Sequence, residues 1–89
     1  MKLFLIHCGY YEEISGHKTF ESHSNFFVSA TDLADAKSKA KLNPDFKKKR
    51  MHIDGLMEIL SVDGYEVQLI KKKSSSKDEI ISHDFRELD

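Results

Sequence analysis

Cysteine, proline and tryptophan are almost absent from this chain of 89 residues, which has one cysteine, one proline and no tryptophan. A single cysteine cannot form a disulfide within the chain or supply a four-cysteine zinc site, and a free thiol is typical of a reducing cytoplasm. The apolar run at residues 3–6 is far shorter than the core of a secretory signal or a membrane span. We therefore expect a cytoplasmic protein with no membrane segment.

The chain also lacks an excess of charge of either sign. Its Lys and Arg residues number 14 and its Asp and Glu residues 15, so the net charge is -1. This balance lacks the basic bias of a dedicated DNA-binding domain. Charged residues make up 33% of the chain and aromatic residues 10%, which indicates a folded domain. No glycine-rich nucleotide loop or hydrolase nucleophile motif is present, and we expect no cofactor.

The first half of the chain predicts two strands followed by a helix. Residues 2–8 are apolar on both faces, as in a central strand, and the polar stretch that follows predicts a loop. Residues 19–29 predict a second strand. Residues 31–42 have the clearest helical pattern, with Thr31 or Asp32 as N-cap and alanines small enough to lie close to a sheet.

The second half predicts two strands joined by a tight turn. Residues 50–60 and 65–71 have strand composition, and Asp63-Gly64 between them is a strong hairpin signal. Both faces of this hairpin carry apolar groups. Either a β-bulge near Gly55 changes the face to which the following side chains point, or something else covers the second face. We predict an α+β fold, with a small sheet of about four strands in the order β-β-α-β-β and one helix on one face.

The C-terminal residues differ in composition from the rest. A Lys/Ser run over residues 71–77 marks the end of the compact part, so we predict a single α+β domain over residues 1–73 and a charged segment over residues 74–89. Residues 78–89 have a net charge of -4 but also contain four apolar side chains. A short docked helix or an added strand fits this mixture better than a free tail.

Four polar residues on two predicted strands form the main candidate site. Glu21 and His23 share one face of a strand, as do His52 and Asp54, because residues two apart point the same way. Imidazole and carboxylate groups together could bind a divalent metal ion, or His52 could run acid–base chemistry while Asp54 orients it. The alternative is a solvated polar face. The spacing does not tell whether the two strands are neighbours.

Cys8 and His7 are adjacent in sequence but do not form a candidate cysteine–histidine pair. Successive side chains of a strand point to opposite faces, so His7 cannot activate Cys8 directly. Cys8 ends a strand that is predicted to be buried, and it is expected to be a small core side chain.

A second candidate site is basic. Its members are Lys47, Lys48, Lys49 and Arg50, together with Lys71, Lys72 and Lys73. If these two clusters meet, they could bind a phosphate backbone or an acidic protein. The alternatives are a solvated charged face, or pairing with the acidic C-terminal segment.

Several short motifs together resemble one protein family. They are Lys2-Leu3-Phe4-Leu5 leading into His7-x-Gly9, Glu21-x-His23 before Phe27-Val28, His52-Ile53-Asp54, and Val62-Asp63-Gly64-Tyr65. In this combination they resemble a bacterial family called domain of unknown function 1543, over about residues 2–72. The resemblance implies a small α+β domain, single or duplicated in one polypeptide, and no known activity. Leu56 replaces the family's usual bulky aromatic residue after the His-x-Asp motif.

Three classes of function are compatible with these patterns. We expect a non-catalytic binding or assembly module, a homodimer in which a sheet face or an edge strand is covered, with another protein as an alternative partner. The second class is a small enzyme or metal-binding protein that uses His52, Asp54, His23 and Glu21. The third is weak nucleic-acid binding through the lysines. Whether the protein is an enzyme stays open at this point.

Overall fold

A computed structural model of the protein describes residues 1–14, 16–74 and 77–84. The elements in chain order are β1 (Lys2–Ile14), β2 (His17–Ala30), α1 (Leu33–Ala40), α2 (Pro44–Lys48), β3 (His52–Glu58), β4 (Ser61–Val62) and β5 (Tyr65–Glu66). Strand and helix are mixed, and the fold is α+β as predicted. Within the described residues, no helix is long and apolar enough to cross a membrane.

Strands β1, β2 and β3 form one antiparallel sheet in the order β2-β1-β3. β1 is therefore the central strand, as its apolar character predicts. The predicted loop after Cys8 is wrong, because β1 continues to Ile14 and pairs with β2 along its whole length. Residues in the far part of this ribbon face solvent. Tyr11 and Glu12, for example, are exposed.

One face of the sheet carries the core. Phe4, Ile6 and Cys8 of β1 are fully buried in one core cluster, to which α1 contributes the buried side chains of Ala36 and Ala40. These alanines let the helix lie close to the strands, and the prediction of a helix on one face is confirmed. Cys8 is a core side chain, as expected.

Local hydrogen bonds fix where the two helices begin. The Asp32 side chain accepts a hydrogen bond from the Asp35 backbone N–H at 2.8 Å and caps α1. Asn43 caps α2 in the same way by accepting from the Asp45 N–H at 3.0 Å, and Pro44 occupies the first turn. The Asn-Pro pair therefore starts a second helix, which was not predicted, whereas α1 ends earlier, at Ala40 with Lys41 as its C-cap.

The predicted fourth strand does not join the sheet. In place of a sheet of four strands in the order β-β-α-β-β, the described part of the chain has a three-stranded sheet and a separate β4–β5 hairpin. Its turn is the predicted one, because Val62 pairs with Tyr65 and the two turn residues have positive φ, 51° at Asp63 and 82° at Gly64. Strand composition alone does not tell which surface a ribbon packs on, and this is why the prediction failed.

The predicted bulge near Gly55 is present in β3. His7 of β1 pairs with Gly55 and the next residue, Cys8, pairs with Ile53, so Asp54 is an extra residue opposite β1. The bulge shifts by one residue the alternation of β3 side chains between the two faces of the sheet. Leu56 thus pairs with Ile6 over the core face, and Met57 pairs with Leu5 over the other face.

The C-terminal segment has neither helix nor strand in residues 77–84, and residues 85–89 of the predicted segment 74–89 lie outside the described part. One of its contacts is with the basic part of the chain. Lys72 Nζ lies 2.7 Å from Glu79 Oε2.

Candidate metal centre

The four predicted polar residues converge on the sheet face that the helices do not cover. Glu21 and His23 belong to β2, while His52 and Asp54 belong to β3, and these strands flank β1 without pairing with each other. Gly9 of β1 pairs with His23 on one side and with His52 on the other. The side chains therefore meet across the central strand.

Gly9 provides the space in which they meet. A Cβ at this position would lie 2.5 Å from Glu21 Oε1, 2.6 Å from His52 Nε2 and 2.7 Å from Asp54 Oδ2. Three potential ligand atoms from two outer strands thus surround the same point above the glycine. Any other residue at position 9 would fill this space, which is one established reason for a glycine inside a strand.

His52 occupies the centre of the cluster. Its Nε2 lies 3.2 Å from Glu21 Oε1 and 3.1 Å from Asp54 Oδ1. One imidazole nitrogen carries at most one proton, so it cannot donate a full hydrogen bond to both carboxylates. A cation shared by the three groups would satisfy all of them.

The distances agree with the requirements of a metal ion. Ligand atoms about 2.1 Å from a zinc ion at tetrahedral angles lie about 3.4 Å from one another. The two contacts of His52 are within a few tenths of an ångström of this separation. Glu21, His52 and Asp54 also form a group whose ligand atoms all lie within 4.8 Å of one another.

A second group of ligand atoms adjoins the first and shares Asp54 with it. It consists of His7, His23 and Asp54, again with ligand atoms within 4.8 Å of one another. His23 Nε2 lies 3.9 Å from Asp54 Oδ2, and the rings of His7 and His23 are in contact, with centroids 4.9 Å apart. His7 donates from Nδ1 to Asn25 Oδ1 at 2.7 Å, which orients its ring.

Three residues at this site were not predicted as its members, namely His7, Gly9 and Asn25. The sequence did contain a signal for two of them, because His7-x-Gly9 places a histidine and a glycine on the same strand face. His7 was considered only as a neighbour of Cys8. The conclusion that the two point to opposite faces is consistent with their burial, since Cys8 is in the core and His7 is on the open face.

Cys8 lies beneath the cluster but does not take part in it. Burial, and to a smaller extent the negative charge of Asp54, raise the pKa of the Cys8 thiol above its ordinary value. A raised pKa keeps the thiol protonated at neutral pH, so Cys8 lacks the thiolate that a nucleophile requires.

The basic residues are divided between two places. Lys48, Lys49 and Arg50 line a shallow recess with Tyr10 and Tyr11, and Lys49 Nζ lies 4.9 Å from the centre of the Tyr10 ring. Lys47, at the end of α2, is exposed, as are the three lysines at positions 71–73. Lys72 pairs with the acidic segment through Glu79, one of the alternatives that the sequence left open.

Comparison with known proteins places the chain in a family. Residues 18–69, more than half of the chain, match the family described as Domain of Unknown Function (DUF1543). The chain belongs to the DUF1543 family, and the resemblance drawn from its short motifs is confirmed. The part that matches DUF1543 contains Glu21, His23, His52 and Asp54, whereas the β1 residues of the site precede it. No curated protein and no solved structure matches the chain.

Proposed function

We propose that the protein binds a divalent first-row metal ion through Glu21, His52 and Asp54. The observation that carries this proposal is the position of His52 Nε2, within 3.2 Å of one oxygen from each carboxylate, above a glycine that leaves room for an ion. One imidazole and two carboxylates are a ligand set that suits zinc, iron(II) or manganese(II).

The proposed site is open rather than enclosed. Its three side chains are partly exposed, and three protein ligands leave at least one coordination position for water or another small ligand. Metal ions that keep such a position are typical of catalytic or ligand-binding centres, whereas structural zinc sites use four protein ligands. The proposal therefore favours the class of small metal protein or enzyme over a purely structural metal.

Calorimetric titration of the metal-free protein with Zn²⁺ tests this proposal. We expect the wild-type chain to bind Zn²⁺ and the His52→Ala variant to lose at least about tenfold in affinity. His83→Ala is the matched control, because His83 is an exposed histidine outside the cluster. Equal affinity of His52→Ala and wild type would overturn the assignment.

A homodimeric assembly module is a second candidate, and exposed apolar side chains favour it. Phe27 and Met57 are half exposed on the open sheet face, and in the hairpin region Tyr65 and Ile70 are 79% and 90% exposed. Surfaces of this kind mark sites of association. In size-exclusion chromatography with light scattering we expect twice the 10.3 kDa chain mass. A monomer at high micromolar concentration would rule the dimer out.

A further inference from the structure

We infer that the site holds two metal ions, with Asp54 as the bridging ligand between them. This inference rests on the proposed metal binding and adds a second ion, held by His7, His23 and Asp54. The two groups of ligand atoms share Asp54, and they also touch where Glu21 Oε1 of the first lies 3.5 Å from His23 Nε2 of the second. The first ion takes Glu21 and His52 in addition, so each ion has three protein ligands.

Asp54 lies between one histidine of each group. Oδ1 lies 3.1 Å from His52 Nε2, and Oδ2 lies 3.9 Å from His23 Nε2. Oδ2 is also one of the three atoms around the point above Gly9, so Asp54 borders both ligand groups. A carboxylate in this position can bridge a pair of ions about 3.5–4 Å apart. Asp54 is the extra residue of the β3 bulge, opposite the step from His7 to Cys8 in β1.

The hydrogen bond between His7 and Asn25 prepares His7 for a metal ion. Because Nδ1 donates its proton to Asn25 Oδ1, the free lone pair of the neutral ring is on Nε2. Metal-binding histidines are commonly held by such a bond from the ring nitrogen that does not bind the ion. Asn25 is thus a positioning residue for the second ion.

The net charge of the two ions and their protein ligands indicates which class of further ligand they would bind. Two divalent ions carry four positive charges, whereas the two carboxylates of Glu21 and Asp54 supply two negative charges and the histidines bind as neutral rings. The excess positive charge faces solvent on the open side of the sheet, where hydroxide or the oxygens of a phosphate group would balance it. Inorganic phosphate is the simplest probe of this class.

The number of ions per chain tests the inference directly. Calorimetric titration of the metal-free protein with Zn²⁺ should give two ions per chain in wild type and one in His7→Ala. In Asn25→Ala the second ion should bind about 10–100-fold more weakly, while Asn25→Asp, which keeps an oxygen acceptor, should restore it. Circular dichroism checks that each variant folds, and phosphate should bind only after both ions are loaded.

The outcomes separate this inference from the proposed function. One ion per chain in wild type, unchanged by His7→Ala, would overturn the second ion and leave the first in place. No Zn²⁺ binding in wild type would overturn both. Loss of all binding in His7→Ala would overturn the division into two ligand groups. Loading with Mn²⁺ gives an independent readout, because a bridged pair shows an exchange-coupled paramagnetic resonance spectrum that isolated ions lack.

Discussion

The imidazole of His52 and the carboxylate of Glu21 belong to strands that are not neighbours, yet His52 Nε2 and Glu21 Oε1 lie 3.2 Å apart. They meet because the strand between them contributes Gly9, which has no side chain to separate them. The site thus depends on three strands at once, two that supply ligands and one that leaves space.

Replacing Gly9 by alanine should damage metal binding without unfolding the protein. The added methyl would lie 2.5–2.7 Å from atoms of Glu21, His52 and Asp54, so these side chains must move apart. Because φ of Gly9 is not positive, alanine meets no backbone strain there. We expect Zn²⁺ affinity to fall at least about tenfold in calorimetry, as for the loss of a supporting contact.

Gly55→Ala is the matched control for this variant. A Cβ at Gly55 would meet only His7 Cβ, at an ordinary contact distance of 3.9 Å. It should leave the affinity for the first ion near the wild-type value. If Gly9→Ala bound Zn²⁺ as tightly as Gly55→Ala, the space above Gly9 would have no role in metal binding.

Cys8 should react slowly with thiol reagents in the folded protein. It is fully buried, and burial together with Asp54 raises its pKa, so little thiolate is present at pH 8. A disulfide reagent that releases a coloured thiolate measures this reaction. We expect slow modification of Cys8 in buffer and fast modification in denaturant. Equally fast reaction in both conditions would show that Cys8 is accessible.

Protonation of Asp35 should destabilise the folded protein in acid. A hydrogen bond from the Thr31 backbone N–H, and to a smaller extent Lys39, lower the pKa of the Asp35 carboxyl. The unfolded chain therefore takes up this proton first, and the stabilisation is complete above about pH 4 and lost as pH falls through the folded-state pKa. Denaturant unfolding from pH 5 to pH 3 should show a shallower pH dependence in Asp35→Asn. Equal slopes would contradict this role.

Removing the acidic segment should free Lys72 from its ion pair and strengthen nucleic-acid binding. Lys72 is paired with Glu79 at 2.7 Å, so a chain that lacks residues 74–89 should bind single- or double-stranded nucleic acid more tightly at low salt. Its log affinity should fall with log salt by roughly 0.9 for each duplex phosphate contacted. Fluorescence anisotropy at about 50 mM salt measures this. If neither chain binds, the lysines are a solvated face.

The parts of the fold that follow local rules could be predicted from the sequence, and the parts that depend on pairing could not. The apolar run of β1 and the caps and alanines of α1 determine a central strand and a helix on it. The second half of β1 resembles a loop, because its polar residues are held in a strand only by pairing with β2.

The candidate site, too, was predictable where local spacing decides and not where strand pairing decides. The spacing of Glu21 with His23, and of His52 with Asp54, was enough to predict two pairs of side chains on strand faces. That the pairs converge depends on the register of β2 and β3 on either side of Gly9, and this register is a relation between strands. The register between strands cannot be predicted from this single sequence.

Crystals of the protein grown with Zn²⁺ and measured at the zinc absorption edge test the central claim most directly. The account predicts an anomalous peak above Gly9, about 2.0–2.2 Å from His52 Nε2 and from one carboxylate oxygen each of Glu21 and Asp54. A zinc-soaked crystal with no anomalous peak at this position, in which His52 keeps only its contacts to the two carboxylates, would contradict it.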